Sequence, residues 1–204
     1  LAVASTDWSV SSQLETTITA GAFKKNCGSV KGRVEVCNKK YGFNGWLGVA
    51  SIWISGSHIT QGTVKLNDTY FNTATYNTPA WRQFVMCQEV GHTFGLDHQD
   101  VNFSNANLGT CMDYTSDPDG TIKGQLSNEH PNTHDYDQLG LIYAHLDSVT
   151  TVGQTVSQPQ GNGNAVDADD VGKVLRKDSN GRPALYERDL GKGEKLFTFI
   201  FWVE

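Results

Sequence analysis

Residues 88–98 read Gln-Glu-Val-Gly-His-Thr-Phe-Gly-Leu-Asp-His, and this stretch decides the fold. On an α-helix, Gln88, Glu89 and His92 project from nearly the same side, because residues three and four positions apart are neighbours. The glycine three residues after His92 allows a sharp turn, so that His98 can reach the same point. Catalytic zinc is held by three protein ligands and keeps one open position for water. The stretch therefore predicts zinc bound by Gln88, His92 and His98, with Glu89 as the base that takes a proton from water.

The residues around this stretch predict a helix that follows several strands. Thr78 is a good N-cap, Pro79 suits the first helical position, and Gly95 ends the helix in a left-handed conformation. A second helix is predicted over about 133–146, where apolar residues recur at helical spacing. Alternating or continuously apolar runs predict earlier strands at 33–37, 46–54 and 63–66.

The same residues resemble the zinc signature of the metzincin clan, which includes the matrixins, astacins and serralysins. Glu89, His92, Gly95 and His98 stand in register with that signature, whereas Gln88 stands where the family has its first zinc-binding histidine. The resemblance covers about residues 30–147. It implies that Gln88, His92 and His98 are the metal ligands and that Glu89 is catalytic.

A Met-turn, the second feature of the clan, has a candidate at Cys111-Met112-Asp113-Tyr114. In astacins and serralysins the tyrosine of this turn lies near the metal and stabilises the tetrahedral intermediate, so the resemblance implies a catalytic role for Tyr114. It implies packing beneath the metal for Met112. The implied fold class is α+β, a metzincin-like catalytic domain with a twisted, mostly parallel sheet, a zinc-binding helix, the Met-turn and a C-terminal helix, plus a small β appendage.

Gln88 leaves three interpretations of the metal site open. A glutamine offers only its amide oxygen, which is a poorer donor for zinc than an imidazole nitrogen. Either Gln88 ligates zinc through oxygen, or the site has two histidine ligands, or zinc binding is lost.

Two further candidates for metal binding are weaker. The segment Asp117-Pro118-Asp119-Gly120 is either a calcium site, as in some proteins of the clan, or a plain turn. His134 stands at a predicted helix start and is a distant candidate for a substitute zinc ligand. The remaining histidines, His58, His130 and His145, are predicted to have no metal role.

The four cysteines indicate an oxidising compartment. Cys27, Cys37, Cys87 and Cys111 permit three pairings, and none forms a CxxC pair. Two disulfides in a secreted protein is one interpretation, and four buried thiols in a cytosolic protein is the alternative. Because the zinc helix and the Met-turn meet below the metal in metzincins, the resemblance implies the pairs Cys87–Cys111 and Cys27–Cys37.

Charge and hydropathy exclude several partners. The formal net charge of −6 gives no footprint for nucleic acid and no attraction to anionic membranes. No run of about 18 apolar residues exists that would span a bilayer. The first residues lack the features of a signal peptide, so we expect any signal peptide or pro-segment to have been removed already or to be missing from this sequence. The expected partner is a peptide or protein substrate. The protein itself is expected to be a monomer.

The composition divides the chain into three parts. A catalytic domain is predicted over 1–149, and a linker over 150–164 is indicated by its Thr, Gln, Ser, Gly and Asn residues. A β-hairpin appendage is predicted over 165–204. Within it, Phe197, Phe199 and Phe201 share one strand face and need cover.

The sequence thus predicts a secreted zinc-dependent endopeptidase that hydrolyses peptide bonds with metal-activated water. One alternative is a catalytically impaired binding module with the same scaffold, in which Gln88 has abolished turnover. Another is an adhesion or targeting protein that acts through the β appendage. Retention of Glu89 and Tyr114 favours the enzyme.

Overall fold

The computed structural model describes residues 1–22, 25–145 and 172–204. Its helices are α1 (Ala2–Trp8), α2 (Asp68–Phe71), α3 (Pro79–Thr93) and α4 (Thr133–Ile142), with a 3-10 turn at Lys25–Cys27. Its strands are β1 (Val34–Lys39), β2 (Trp46–Ser55), β3 (His58–Asn67), β4 (Lys173–Lys177), β5 (Pro183–Gly191) and β6 (Glu194–Trp202). These strands form one sheet with the order β1-β3-β2-β6-β5-β4.

The sheet is mixed, and the predicted mostly parallel sheet is wrong. Among the described strand pairs, β1 and β3 run parallel and the other four pairs are antiparallel. Only Gly56 and Ser57 separate β2 from β3, and so short a connection forces two strands to run antiparallel. Parallel neighbours need a long connection, and here β1 and β3 have one because β2 lies between them in the chain.

The three C-terminal strands extend the sheet, so the separate β appendage of the predicted fold class is also wrong. β6 pairs antiparallel with β2, from Ser55 opposite Glu194 to Trp46 opposite Trp202. The cause is the apolar face of β6, which needs cover and finds it against α3. The predicted linker at 150–164 lies outside the described residues, and the division into domains stays a prediction.

The helix α3 begins and ends where the sequence predicts. The side chain of Thr78 accepts a hydrogen bond from the backbone N–H of Trp81, and Gly95 follows the helix with a φ of +92°. The helix lies close against β2 because Gly48 has no side chain; a Cβ there would lie 2.7 Å from Cγ1 of Val85. The largest hydrophobic core lies on this face, between the sheet and α1, α3 and α4.

Two disulfides cross-link this core and its surroundings, and both predicted pairs are confirmed. Cys27 is bonded to Cys37, and Cys87 in α3 is bonded to Cys111 in the loop before α4. Two disulfides are compatible with an extracellular location. In the ranges given above, no helix is long and apolar enough to cross a membrane.

Candidate functional site

The end of α3 and the turn after it bring the predicted site residues together. The Nε2 atoms of His92 and His98 lie 3.0 Å apart. Gln88 and Glu89 lie one helical turn before His92 and are fully buried. The side chain of His98 is 1% exposed, so the whole group is shielded from solvent.

Oxygen acceptors orient the two imidazole rings. Nδ1 of His92 lies 2.8 Å from the carbonyl oxygen of Leu96, and Nδ1 of His98 lies 3.5 Å from Oδ1 of Asp97. The carbonyl oxygen of Leu96 can only accept, so Nδ1 of His92 carries the proton and its Nε2 presents a lone pair, whereas Nδ1 of His98 is buried without a hydrogen-bond partner within the described ranges. Burial lowers the pKa of both rings, which keeps them in the neutral form that binds metals.

The two Nε2 atoms face each other at 3.0 Å. This contact is favourable in one of two ways: His98 donates its Nε2 proton to His92, or both nitrogens present lone pairs to one cation. Two nitrogen ligands of tetrahedral zinc, each about 2.0–2.1 Å from the ion, are about 3.3 Å apart. The separation of the two nitrogens is therefore within a few tenths of an ångström of the distance that zinc requires.

Gln88 is oriented so that its amide oxygen is the free group. Its Nε2 donates a hydrogen bond of 2.8 Å to the carbonyl oxygen of Cys111, which can only accept. Its Oε1 is buried and has no hydrogen-bond partner among the described residues. A buried oxygen without a partner is costly, and metal coordination is one way to satisfy it.

Glu89 is a buried carboxyl group with an altered pKa. Neither of its oxygens has a well-formed hydrogen bond in the described part of the chain. Burial raises its pKa well above the ordinary value, and the backbone of Ala50 partly offsets this rise. A buried carboxyl group with a raised pKa suits a general base that must later return its proton.

Met112 packs against α3 at Gly91, the glycine within this helix. A Cβ at Gly91 would lie 2.7 Å from Sδ of Met112 and 2.6 Å from Cζ2 of Trp8. Met112 is fully buried. Gly91 therefore permits the close approach of α3 to these two side chains.

Tyr114 lies beside the histidine pair. Its ring packs edge-on against that of His98, with 4.7 Å between centroids. Its hydroxyl donates a hydrogen bond of 3.3 Å to the carbonyl oxygen of Ile200 in β6. Burial raises its pKa well above the ordinary value, and the nearby charge of Glu89 adds to this rise. The tyrosine is close enough to the histidines for the predicted role, but its proton is engaged by β6.

Strand β6 covers the cluster of Gln88, Glu89, His92 and His98. The sequence did not predict this cover. The ring of Phe199 is stacked on His92 with 4.1 Å between centroids and 8° between planes. Phe201 packs against Tyr114 at 4.8 Å. The alternation of phenylalanines in β6 was a signal that this face is buried, but it did not indicate which partner buries it.

A second contact joins the C-terminal strands to the site. Arg176 of β4 binds both carboxylate oxygens of Asp97, one of them at 2.7 Å from Nη1. Burial alone would raise the pKa of Asp97, but the contact with His98 and the charge of Arg176 outweigh it and lower that pKa. The arginine thus holds the carboxylate that orients His98.

The weaker candidates lie apart from this cluster. The side chain of Asp117 accepts a hydrogen bond from the backbone N–H of Lys123, and the backbone N–H of Gly120 donates to Asp117, so the predicted calcium segment forms a turn. His134 is exposed at the start of α4. A cavity of about 580 Å³ lies along the first half of α3, and none of the candidate site residues lines it.

Comparisons with protein-family models, curated protein sequences and solved structures found no match to this chain. The part of the chain that the structure describes also holds no group of three or more His, Cys, Asp or Glu side chains that can bind a metal. Together with the mixed sheet, these findings overturn the resemblance to the metzincins. A short motif was matched, but the architecture around it differs.

Proposed function

We propose that the chain is a secreted hydrolase of peptide bonds that uses zinc. The proposal rests on side-chain geometry and not on membership of a family. One observation carries it: the Nε2 atoms of two neutral imidazoles lie 3.0 Å apart inside a buried cluster that also holds Glu89 and the partnerless Oε1 of Gln88. Such a pair fits a metal ion far better than it fits apolar packing.

The donor set fits zinc with one unusual ligand. His92 and His98 supply two nitrogens, and the ring of His92 is oriented by a hydrogen bond on its opposite side, as is typical of metal-binding histidines. The partnerless Oε1 of Gln88 is the third donor, which leaves one coordination position for water or substrate. The absence of a third histidine or acid predicts weaker binding than in a three-histidine site.

Bound zinc would polarise a peptide carbonyl and activate a water molecule for attack on it. Glu89 takes a proton from the attacking water, and its raised pKa allows it to give the proton to the leaving amine. The ring of Tyr114 packs against that of His98, and its hydroxyl can stabilise the oxyanion once it is released from Ile200.

A peptide is the substrate class that the surroundings favour. The outer edge of β2 runs past Glu89 at Gly48, where the absence of a side chain keeps the backbone close to the carboxyl group. This edge pairs with an extended backbone in the structure, namely that of β6. A peptide in the same extended form can pair there as an added strand.

Zinc stoichiometry and zinc-edge anomalous scattering test the proposal directly. We expect about one zinc ion per chain, lost on His98→Gln and kept on His130→Gln, because His130 has an exposed side chain outside the cluster. No bound zinc in the wild-type chain at saturating metal, or equal loss in both variants, would refute it.

A second candidate function is a binding module without turnover. The burial of the whole cluster favours it, because a catalytic metal must be reached by substrate, whereas a structural one is closed. Bound zinc without cleavage of any peptide, even when the site is opened, would decide for this function.

A further inference from the structure

Strand β6 occupies the edge of β2 that passes the candidate site. β2 has two edges, of which one is paired with β3 and the other with β6. Without β6, the second edge would present its backbone groups beside Glu89 and the histidine pair. The strand that fills this edge therefore decides whether another peptide can reach the site.

A side chain and a backbone carbonyl of β6 each contact one of the candidate residues. Phe199 lies flat on the ring of His92 at 4.1 Å. The carbonyl oxygen of Ile200 accepts the hydrogen bond of Tyr114. The backbone of β6 thus already uses the hydroxyl that hydrolysis would require.

The groove that holds β6 is shaped for large side chains at every second position. In the antiparallel register, Phe201 is opposite Gly48 and Phe199 is opposite Ala50. The two smallest residue types on β2 leave the space that the aromatic rings fill. Phe199 and Phe201 are 5% and 1% exposed, so the fit is close.

A polar contact outside the groove holds the C-terminal strands to the same place. Arg176 in β4 forms a two-pronged ion pair with Asp97, the neighbour of His98. The two side chains are partly exposed, so solvent weakens this pair. It is the contact that can be removed with least damage to the core.

We propose that β6 is an intramolecular occupant of a peptide-docking groove and holds the site closed. The groove, formed by the outer edge of β2 and the adjoining face of α3, takes extended peptides with large apolar side chains at alternate positions. Such a peptide must displace β6 before it reaches Glu89. The proposal rests on the proposed function for the fate of the peptide, but the closure itself is independent of any metal.

The test measures access to the site in the full chain, without reference to catalysis. Wild type, Phe199→Ala and Arg176→Ala are treated with diethyl pyrocarbonate in the presence of a chelator, and the modified histidines are identified by mass spectrometry. We expect the modification rate of His92 and His98 to rise at least about 10-fold in Phe199→Ala and by a smaller factor in Arg176→Ala, since local opening exposes them and the ion pair is weakened by solvent. The exposed His130 and His134 are internal references that react equally in all samples.

A matched control separates local opening from general loosening. Val64→Ala truncates a fully buried side chain of β3, which pairs with β2 on the side away from β6. We expect slow modification of His92 in this variant. If Val64→Ala raises the rate as much as Phe199→Ala does, or if wild type already reacts as fast as the variants, β6 does not gate the site and the proposal is wrong.

A synthetic peptide tests the shape of the groove. A copy of residues 194–202 should bind Phe199→Ala and restore the protection of His92, whereas the same peptide with serine in place of its three phenylalanines should not. Equal protection by both peptides, or by neither, contradicts the groove. If the variants open but show no zinc-dependent cleavage, the proposed function is wrong and the closure by β6 stands. If the wild type cleaves peptides and its histidines react freely, the closure by β6 is wrong and the proposed function stands.

Discussion

At the scale of single residues, the chemistry of the site depends on which atom of Gln88 is free. The carbonyl oxygen of Cys111 takes up the amide nitrogen, and the amide oxygen is left without a partner. A glutamine in this orientation is a neutral oxygen donor, which gives a zinc ion less electron density than tight binding needs. A glutamine at position 88 is therefore expected to bind zinc less tightly than a histidine would at the same position.

Exchange of Gln88 measures its part in metal binding. We expect Gln88→His to raise zinc affinity by on the order of 10-fold or more, because imidazole is the better donor and its second nitrogen can keep the hydrogen bond to Cys111. Gln88→Ala should lower the affinity. Competition with a calibrated chelator gives the three constants. Equal affinity of wild type and both variants would show that position 88 does not bind the metal.

Glu89→Gln separates catalysis from metal binding. The substitution removes the proton acceptor and leaves all proposed ligands in place, so peptide cleavage should fall by at least about 100-fold while zinc content stays at the wild-type level. Cleavage is measured in the wild-type chain and with Phe199→Ala, so that a closed site does not hide the effect. Unchanged cleavage in the Glu89→Gln variant would rule out the assigned base.

At the scale of elements, α3 packs closely against its neighbours because one glycine on the helix and one on β2 carry no side chain. Gly91 lets Trp8 and Met112 pack directly against the helix, and Gly48 on β2 lets Glu89 lie against the sheet. These contacts fix the rotation of the helix about its axis. That rotation directs Glu89 towards β2 and His92 towards Phe199 of β6.

Substitution of Gly91 tests this close approach. We expect Gly91→Ala to destabilise the fold by about 1–3 kcal/mol, because the added methyl group would overlap Trp8 and the sulfur of Met112. Gly140→Ala in α4 is the control, since nothing lies within 4 Å of its Cβ, and it should stabilise by about 0.5–1 kcal/mol. Urea unfolding measures both values, and equal signs would contradict the packing.

The disulfide between Cys87 and Cys111 joins α3 to the loop that carries Met112. The two cysteines are separated by 24 positions, and a loop of this length corresponds to about 3 kcal/mol of stability in the chain-entropy model. We expect the Cys87→Ala/Cys111→Ala double variant to lose about that amount in urea unfolding. The loss should be accompanied by weaker zinc binding, because Cys111 also positions Gln88. A stability loss with unchanged zinc affinity would remove the link between the disulfide and the site.

At the scale of the whole molecule, β6 contributes to the same hydrophobic core as α3. The ring of Phe201 is 1% exposed and contacts the rings of Trp81, Phe84 and Tyr114. A residue so placed contributes to the stability of residues far from it in the chain. Its removal cannot affect the C-terminal strands alone.

Phe201→Ala tests this shared core. We expect a loss of about 3–5 kcal/mol, together with a single unfolding transition by fluorescence and by circular dichroism. Phe43→Ala is the control, because its ring is 77% exposed, and it should change stability by less than about 0.5 kcal/mol. The variant could instead show two unfolding transitions, with a changed midpoint only for the one of smaller amplitude. That result would show that the C-terminal strands fold on their own.

The sequence by itself determined the local features of this protein. The N-cap at Thr78 and the left-handed glycine at position 95 mark α3, because capping depends on residues a few positions apart. The convergence of His92 and His98 was predictable for the same reason, since one helical turn and one glycine separate them. The predicted disulfides also formed, although the family from which they were inferred does not describe this chain.

Only the tertiary structure decided how the strands are arranged and what closes the site. Ser51 and Thr198 face each other across β2 and β6, although they are 147 residues apart in the chain. Hydrophobic alternation shows that a strand has a buried face, but it does not show which strand lies next to it. Any unpaired sheet edge can pair with such a strand. The choice of edge follows from how well Phe199 and Phe201 fill the space beside Ala50 and Gly48, and that space exists only after β2 and α3 have packed together.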